Sequence, residues 1–331
     1  MRGIRENVSC GISERGLGIQ HSTNFPRDIF QTRPNVDYFS PIPHPWLMKH
    51  PTRQDSPAPH IGAWPNLIGL DSPIVAVCWQ AMFAKISGAD LPWFIHLILG
   101  LSTWCIYLAD RILDVTRIDH QAGTSRHRFT QIHLRKLIYL LIFVSIGNLV
   151  MMIRFLPHQL WISGLITLGL IVIYYLVRLT RLKNFITLIP REVMCGMLFA
   201  LGCSIAPYAY ASSPWLNQPT LFIPAFMFGC VCSASCILIS SWESEADILT
   251  ADPSIITTHA HFIPYLAKSL LCLTAITLTF SLFIHWQAFL SIGISAILLL
   301  AALDRQSQIS PLNRRILADA VLLSPLIFIG F

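Results

Sequence analysis

Residues 92–114 read PWFIHLILGLSTWCIYLADRILD, an apolar run long enough to cross a bilayer that closes on Asp110-Arg111-Ile112-Leu113-Asp114. A helix starting near Pro92 and rising ~1.5 Å per residue carries Asp110 and Asp114 to its far end, and their i, i+4 spacing puts both carboxylates on one face. A second apolar run, 220–242, closes in the same manner on Glu243-Ser244-Glu245-Ala246-Asp247. In a chain where only 12% of residues are charged, carboxylates gathered twice at a membrane edge point to a metal and a phosphorylated ligand.

Working outward, apolar residues make up 54% of the 331, the mean hydropathy is +0.58, and segments near the ~20 residues that span a hydrocarbon core recur along the chain. The pattern predicts an all-α polytopic membrane bundle of about nine transmembrane helices, near 67–87, 92–112, 134–155, 159–180, 190–210, 220–242, 262–284, 286–303 and 313–331. Asp319 and Pro325 interrupt the last of these, and Lys85 sits near the end of the first.

Residues 1–65 are different, being polar and rich in Pro, His and Arg, with no apolar stretch that could form a signal-peptide core. They read as a disordered cytosolic tail ahead of a membrane domain over 66–331, and Met48 would open a sensible shorter version.

Lys and Arg flanking a span are retained on the cytosolic side. With nine helices, every basic residue except Lys85 and Arg154 falls in the tail or in alternate connections on one side. The opposite connections, around Gly88-Ala89-Asp90, Leu156-Pro157-His158, Ser212-Ser213-Pro214 and His285-Trp286, are short and nearly uncharged. The expected topology is therefore a cytosolic N-terminus and cytosolic acidic motifs, with the C-terminus external. This asymmetry and anionic lipid headgroups account for the formal net charge of +6, so nucleic acid need not be invoked as a partner.

Eight of the nine cysteines lie inside apolar helices, where they read as small packing residues. Cys230, Cys232 and Cys236 do not match a zinc spacing, and His127, His259 and His261 read as solvated loop histidines. Gly196, Gly202, Ser204, Gly229, Ser233 and Ser235 permit close helix approach, as membrane bundles require.

Carboxylates at a helix C-terminus face the negative end of its dipole, which costs about 0.3–1 kcal/mol each unless a cation compensates. Neighbouring Arg and Lys, or a divalent metal, would compensate; one or two carboxylates per helix suit Mg²⁺, which keeps several waters and shares its other positions with phosphate oxygens. Ordinary interfacial charges that merely terminate helices are the equal alternative. The connections favour the ligand reading. The second-to-third carries Arg126 and Arg128, and the fourth-to-fifth carries Tyr174, Tyr175 and Lys183. Guanidinium and ammonium groups on the carboxylate face could bind a diphosphate. Tyrosine rings a turn or two deeper could face a developing carbocation, or could simply form an interfacial aromatic belt.

In these features the chain resembles the UbiA superfamily of intramembrane prenyltransferases, over roughly residues 66–331. That family has nine helices, an Asn-Asp-x-x-Asp-type motif after the second, a Tyr/Lys segment between the fourth and fifth, and an Asp-x-x-x-Asp motif after the sixth. Asp110 stands at the Asn position and Asp114 at the closing Asp; Lys183, preceded by Tyr174 and Tyr175, matches the middle segment; Glu243 and Asp247 match the later acids. Arg111 replaces the leading Asp of the first motif, Ile118 stands where a further Asp often follows, and Glu replaces Asp at 243.

The resemblance implies transfer of an isoprenyl group from a prenyl diphosphate to a lipophilic or aromatic acceptor, with Mg²⁺ assisting ionisation. Asp110, Asp114, Glu243 and Asp247 are then the expected metal ligands, Arg111, Arg126, Arg128 and Lys183 the diphosphate contacts, and Tyr174 and Tyr175 the residues beside the prenyl cation. The same fold is compatible with a terpene cyclase, or with a non-catalytic binder of a polyprenyl lipid or quinone. A transporter would be expected to show internal repeats, and none is visible.

Overall fold

The last of the expected crossings is where the chain departs most from a simple apolar helix. It runs in three pieces: a helix over Pro311–Ala320, a 3₁₀ turn over Val321–Leu323, and a short helix over Leu326–Ile329. Pro325 has no N–H to continue the ladder, so carbonyls are freed in an apolar interior and must find side-chain donors. They do: Trp79 Nε1 donates to the Leu322 carbonyl at 2.7 Å and Ser295 Oγ to the Val321 carbonyl at 2.7 Å. Ser324 Oγ donates to the Ser291 carbonyl at 2.8 Å. The break is thus a built feature buried in protein.

The structure is a computed structural model that describes residues 64–116, 125–180, 190–211, 219–243 and 262–330. These lie within the compact unit Ser56–Phe331. No strand occurs among them, and the helices in chain order are α1 Trp64–Ile68, α2 Asp71–Ser87, α3 Trp93–Val115, α4 Ser125–Ile132, α5 Leu134–Phe155, α6 His158–Thr180, α7 Arg191–Ala209, α8 Phe222–Trp242, α9 Phe262–Ser281, α10 Trp286–Asp304, α11 Pro311–Ala320 and α12 Leu326–Ile329.

Seven of these helices, α3, α5, α6, α7, α8, α9 and α10, are long and apolar enough to cross a membrane. That fits an integral multi-pass membrane protein. The expected first crossing, 67–87, is shortened because Gly69 adopts a left-handed φ of 80° and ends α1, leaving the 17-residue α2.

The core is formed by α2, α7, α8 and α10, with α3 packed on α2 and α9 on α10. Trp79 and Phe228 stack at 3.8 Å between ring centroids, with Phe83 tilted against both. Helices α7 and α8 approach closely at Gly196, where an added Cβ would lie 2.3 Å from the Ser233 backbone nitrogen. By contrast, α5 packs on α3 and α6 on α7, and both leave most of their apolar side chains exposed, as lipid-facing helices do.

Candidate functional site

The C-terminal ends of α3 and α8, which carry the two acidic clusters, are joined through α11. Arg315, on α11, donates from Nη1 to Glu243 Oε2 at 2.8 Å and from Nη2 to Tyr107 Oη at 3.0 Å. Tyr107 is one turn before Arg111 on α3, and its phenol oxygen also accepts from Arg111 Nη2 at 3.3 Å. Two guanidiniums therefore converge on one phenol oxygen, and the Arg111 guanidinium lies 4.6 Å from the Tyr107 ring centre.

Arg111, only 5% exposed, also caps α1. Its Nη1 donates to the Leu67 carbonyl at 2.7 Å and its Nη2 to the Asn66 carbonyl, while Trp104 Nε1 takes the Ile68 carbonyl at 3.1 Å. A five-residue helix leaves its last carbonyls without internal partners, and these side chains supply them. Gly69 is what lets them in: a Cβ there would lie 2.9 Å from Tyr107 Cδ1. Asn66 in turn donates from Nδ2 to Asp71 at 2.6 Å and Asp319 at 3.2 Å.

Asp110 and Asp114 are half-buried at the end of α3. Tyr175, on α6, donates to the Ile106 carbonyl at 3.0 Å, one turn before Asp110. Tyr174 packs edge-on against it at 5.4 Å. Arg128 is exposed on α4. Lys183 and Asp247, and the side chain of Arg126, lie outside the described residues. Of the sequence-derived candidates, Arg111 and Glu243 are linked through Tyr107 and Arg315, Tyr175 reaches the Ile106 carbonyl of α3, and Asp110 and Asp114 lie at the C-terminal end of that same helix.

Arg315, Tyr107, Asn66 and Asp319 were not among the candidates. Arg315 counted only toward the basic end, yet an Arg and an Asp at i, i+4 inside a segment expected to cross the membrane is itself a signal of a buried polar site. A second pair was missed in the same way. Glu192, 2% exposed on α7, accepts at Oε1 from Arg191 Nε at 3.1 Å and from Ser240 Oγ at 3.2 Å. Its Oε2 is buried without a partner, and Ser240 lies one turn before Glu243 at the end of α8.

Among the described residues no three His, Cys, Asp or Glu side chains are arranged as a metal cage. The donors present are hard carboxylate oxygens at two helix ends, the kind that holds Mg²⁺ through one or two protein ligands with the rest from water and phosphate. Glu243 would have to exchange Arg315 for the metal. No protein-family model, no curated protein and no solved structure matches the chain.

Proposed function

We propose that this protein is an intramembrane prenyltransferase of the UbiA type, acting at the Arg-rich end of its bundle on a prenyl diphosphate and a lipophilic or aromatic acceptor. The observation that carries the reading is the convergence of the α3 and α8 ends, through Tyr107, Arg315 and Glu243, in a molecule otherwise poor in charge. Glu243, the first residue of the second acidic cluster, is thereby tied to the end of α3 that carries Asp110 and Asp114.

The topology we propose has nine crossings, with the Arg-rich end and N-terminus cytosolic and the C-terminus external. Helix α2 spans about 25 Å at ~1.5 Å per residue. The three-piece final segment joins the Arg-rich end at Arg315 to the opposite end, where Lys85 Nζ donates to the Phe328 carbonyl at 2.8 Å and Trp286 meets the Phe328 ring at 5.8 Å. These contacts and the sorting of basic residues support the count.

Asp110 and Asp114, with Asp247 and a released Glu243, would hold Mg²⁺, which would supply charge stabilisation to the departing diphosphate. Arg111 and Arg315 contribute cationic donors fixed by burial, so their orientation is set before ligand arrives. Arg126, Arg128 and Lys183 would contact the diphosphate from the connections. Tyr175, anchored to α3, presents its ring one turn deeper, with Tyr174 beside it.

A second reading has a specific observation in its favour. Arg111 and Glu243 are both engaged inside the protein, the first by α1 and the second by Arg315, which suits a non-catalytic binder of a polyprenyl lipid or quinone. Pyrophosphate release from geranylgeranyl diphosphate separates the two. Turnover that requires Mg²⁺ and is abolished in Asp114→Ala and Asp247→Ala, with the fold retained, supports the enzyme; lipid binding with no release in the wild type supports the binder.

A further inference from the structure

Where α7 begins and α8 ends, the two helices run antiparallel and touch, and two cysteines face each other between two other contacts. On one side, Ser240 Oγ donates to Glu192 Oε1 at 3.2 Å. On the other, Gly196 abuts the Ser233 backbone, and Ser233 Oγ donates to the Val193 carbonyl at 3.3 Å. Cys195 stands one turn after Glu192 on α7, and Cys236 one turn before Ser240 on α8, so the pair is bracketed by these contacts. Their thiols hydrogen-bond to each other across the helix pair.

Other cysteines of α7 and α8 are packing residues: Cys203 and Cys232 are only 1% and 4% exposed. Cys195 differs in being exposed, with half-buried Cys236 beside it. A disulfide needs Cα atoms about 4.4–6.8 Å apart and Cβ atoms about 3.5–4.5 Å apart, a separation that only closely packed helices reach. Gly196, the neighbour of Cys195, supplies that approach by letting the α8 backbone come up against α7.

We propose that Cys195 and Cys236 are a peroxide-sensitive dithiol that closes to a disulfide and staples α7 to α8. Exposed Cys195 reacts first. Its sulfur attacks one oxygen of hydrogen peroxide, the O–O bond breaks, and the thiol proton leaves with the other oxygen as water, giving a sulfenic acid. Cys236 Sγ then attacks the Cys195 sulfur: the S–S bond forms, the S–O bond breaks, and the Cys236 proton leaves with that oxygen as a second water. The two thiols together lose two electrons, and the peroxide takes them. The staple fixes the end of α8 that leads into Glu243.

Counting thiols tests this without reference to prenyl transfer. Protein reconstituted in phosphatidylcholine vesicles is treated with hydrogen peroxide, then with catalase, unfolded in SDS and labelled with polyethylene-glycol maleimide, so that each labelled thiol retards the band by one step. Treated wild type is expected to carry two labels fewer than untreated protein, both recovered with dithiothreitol, and its digest should hold a peptide pair joined through Cys195 and Cys236. Cys236→Ala cannot close the bond, so Cys195 in that variant is expected to take up dimedone, the mark of a sulfenic acid. Full labelling after peroxide, a loss that dithiothreitol does not reverse, or a joined pair made of other cysteines would each overturn the proposal. So would Cys236→Ala that still loses two labels, or that forms no dimedone adduct at Cys195.

Discussion

Arg315 and Glu243, 72 positions apart in sequence, form a 2.8 Å ion pair that fastens α11 to the end of α8. Their side chains are 14% and 22% exposed, so each charge depends on the other more than a surface pair would. Arg315→Met is expected to destabilise the detergent-solubilised protein by about 1–3 kcal/mol and Glu243→Gln by less, with a double mutant milder than the sum. Thermal unfolding of the four proteins checks this; full additivity would mean that the pair is not coupled.

Gly69→Ala introduces a Cβ 2.9 Å from Tyr107 and forces a left-handed φ on a residue that resists it. The expected cost is about 1–2 kcal/mol, and because α1 is held by Arg111, the variant should also lower affinity for any anion at the polar end. A variant as stable as wild type would contradict the capping role of Arg111.

Gly196→Ala should be more damaging, since the added Cβ meets Ser233 backbone rather than a movable side chain. A loss of about 3 kcal/mol, with α7 and α8 forced apart, is expected. Gly164→Ala, which has open space around it, should be silent in the same measurement.

His285 ends the connection between α9 and α10 with a φ of 41°, a left-handed conformation that glycine adopts freely. Burial also lowers its pKa below the ordinary value of 6.5. The sign follows from linkage: the unfolded chain binds the proton more readily, so the stability associated with the neutral ring is complete above pH 6.5 and is lost as the pH falls below it. His285→Gly should stabilise the protein by up to about 1 kcal/mol at pH 7. It should also flatten the melting temperature between pH 7 and 5, and an unchanged pH profile would contradict the assignment.

Arg154 lies at the exposed C-terminal end of α5, away from the polar cluster. Arg154→Ala should leave ligand binding and turnover nearly unchanged. A large loss would reverse the proposed assignment of faces.

The long apolar runs were legible because hydropathy is a local property: α5, α6, α7, α8 and α10 begin and end within two residues of the expected bounds, and α3 runs three residues past its expected end. The ends of the first and last expected crossings were not, because both depend on partners remote in sequence. Gly69 stops α1 in a conformation that is useful only when Arg111 and Trp104 arrive to take its carbonyls. Asp319 and Pro325 marked the final segment as irregular, but the donors that make its break tolerable, Trp79 and Ser295, sit on α2 and on α10. At the polar end, spacing singled out Asp110, Asp114 and Glu243 as candidates at helix ends. It could not reveal that Arg315 reaches Glu243, since that pairing is a property of how α11 packs on α8.

The central claim is that the polar end binds a prenyl diphosphate with a metal. The most direct measurement is binding of geranylgeranyl diphosphate to the purified protein in detergent, with Mg²⁺ and with the metal chelated. The account predicts saturable binding that weakens at least tenfold without Mg²⁺ and is lost in Asp114→Ala. Absence of binding, or binding indifferent to the metal, would contradict it.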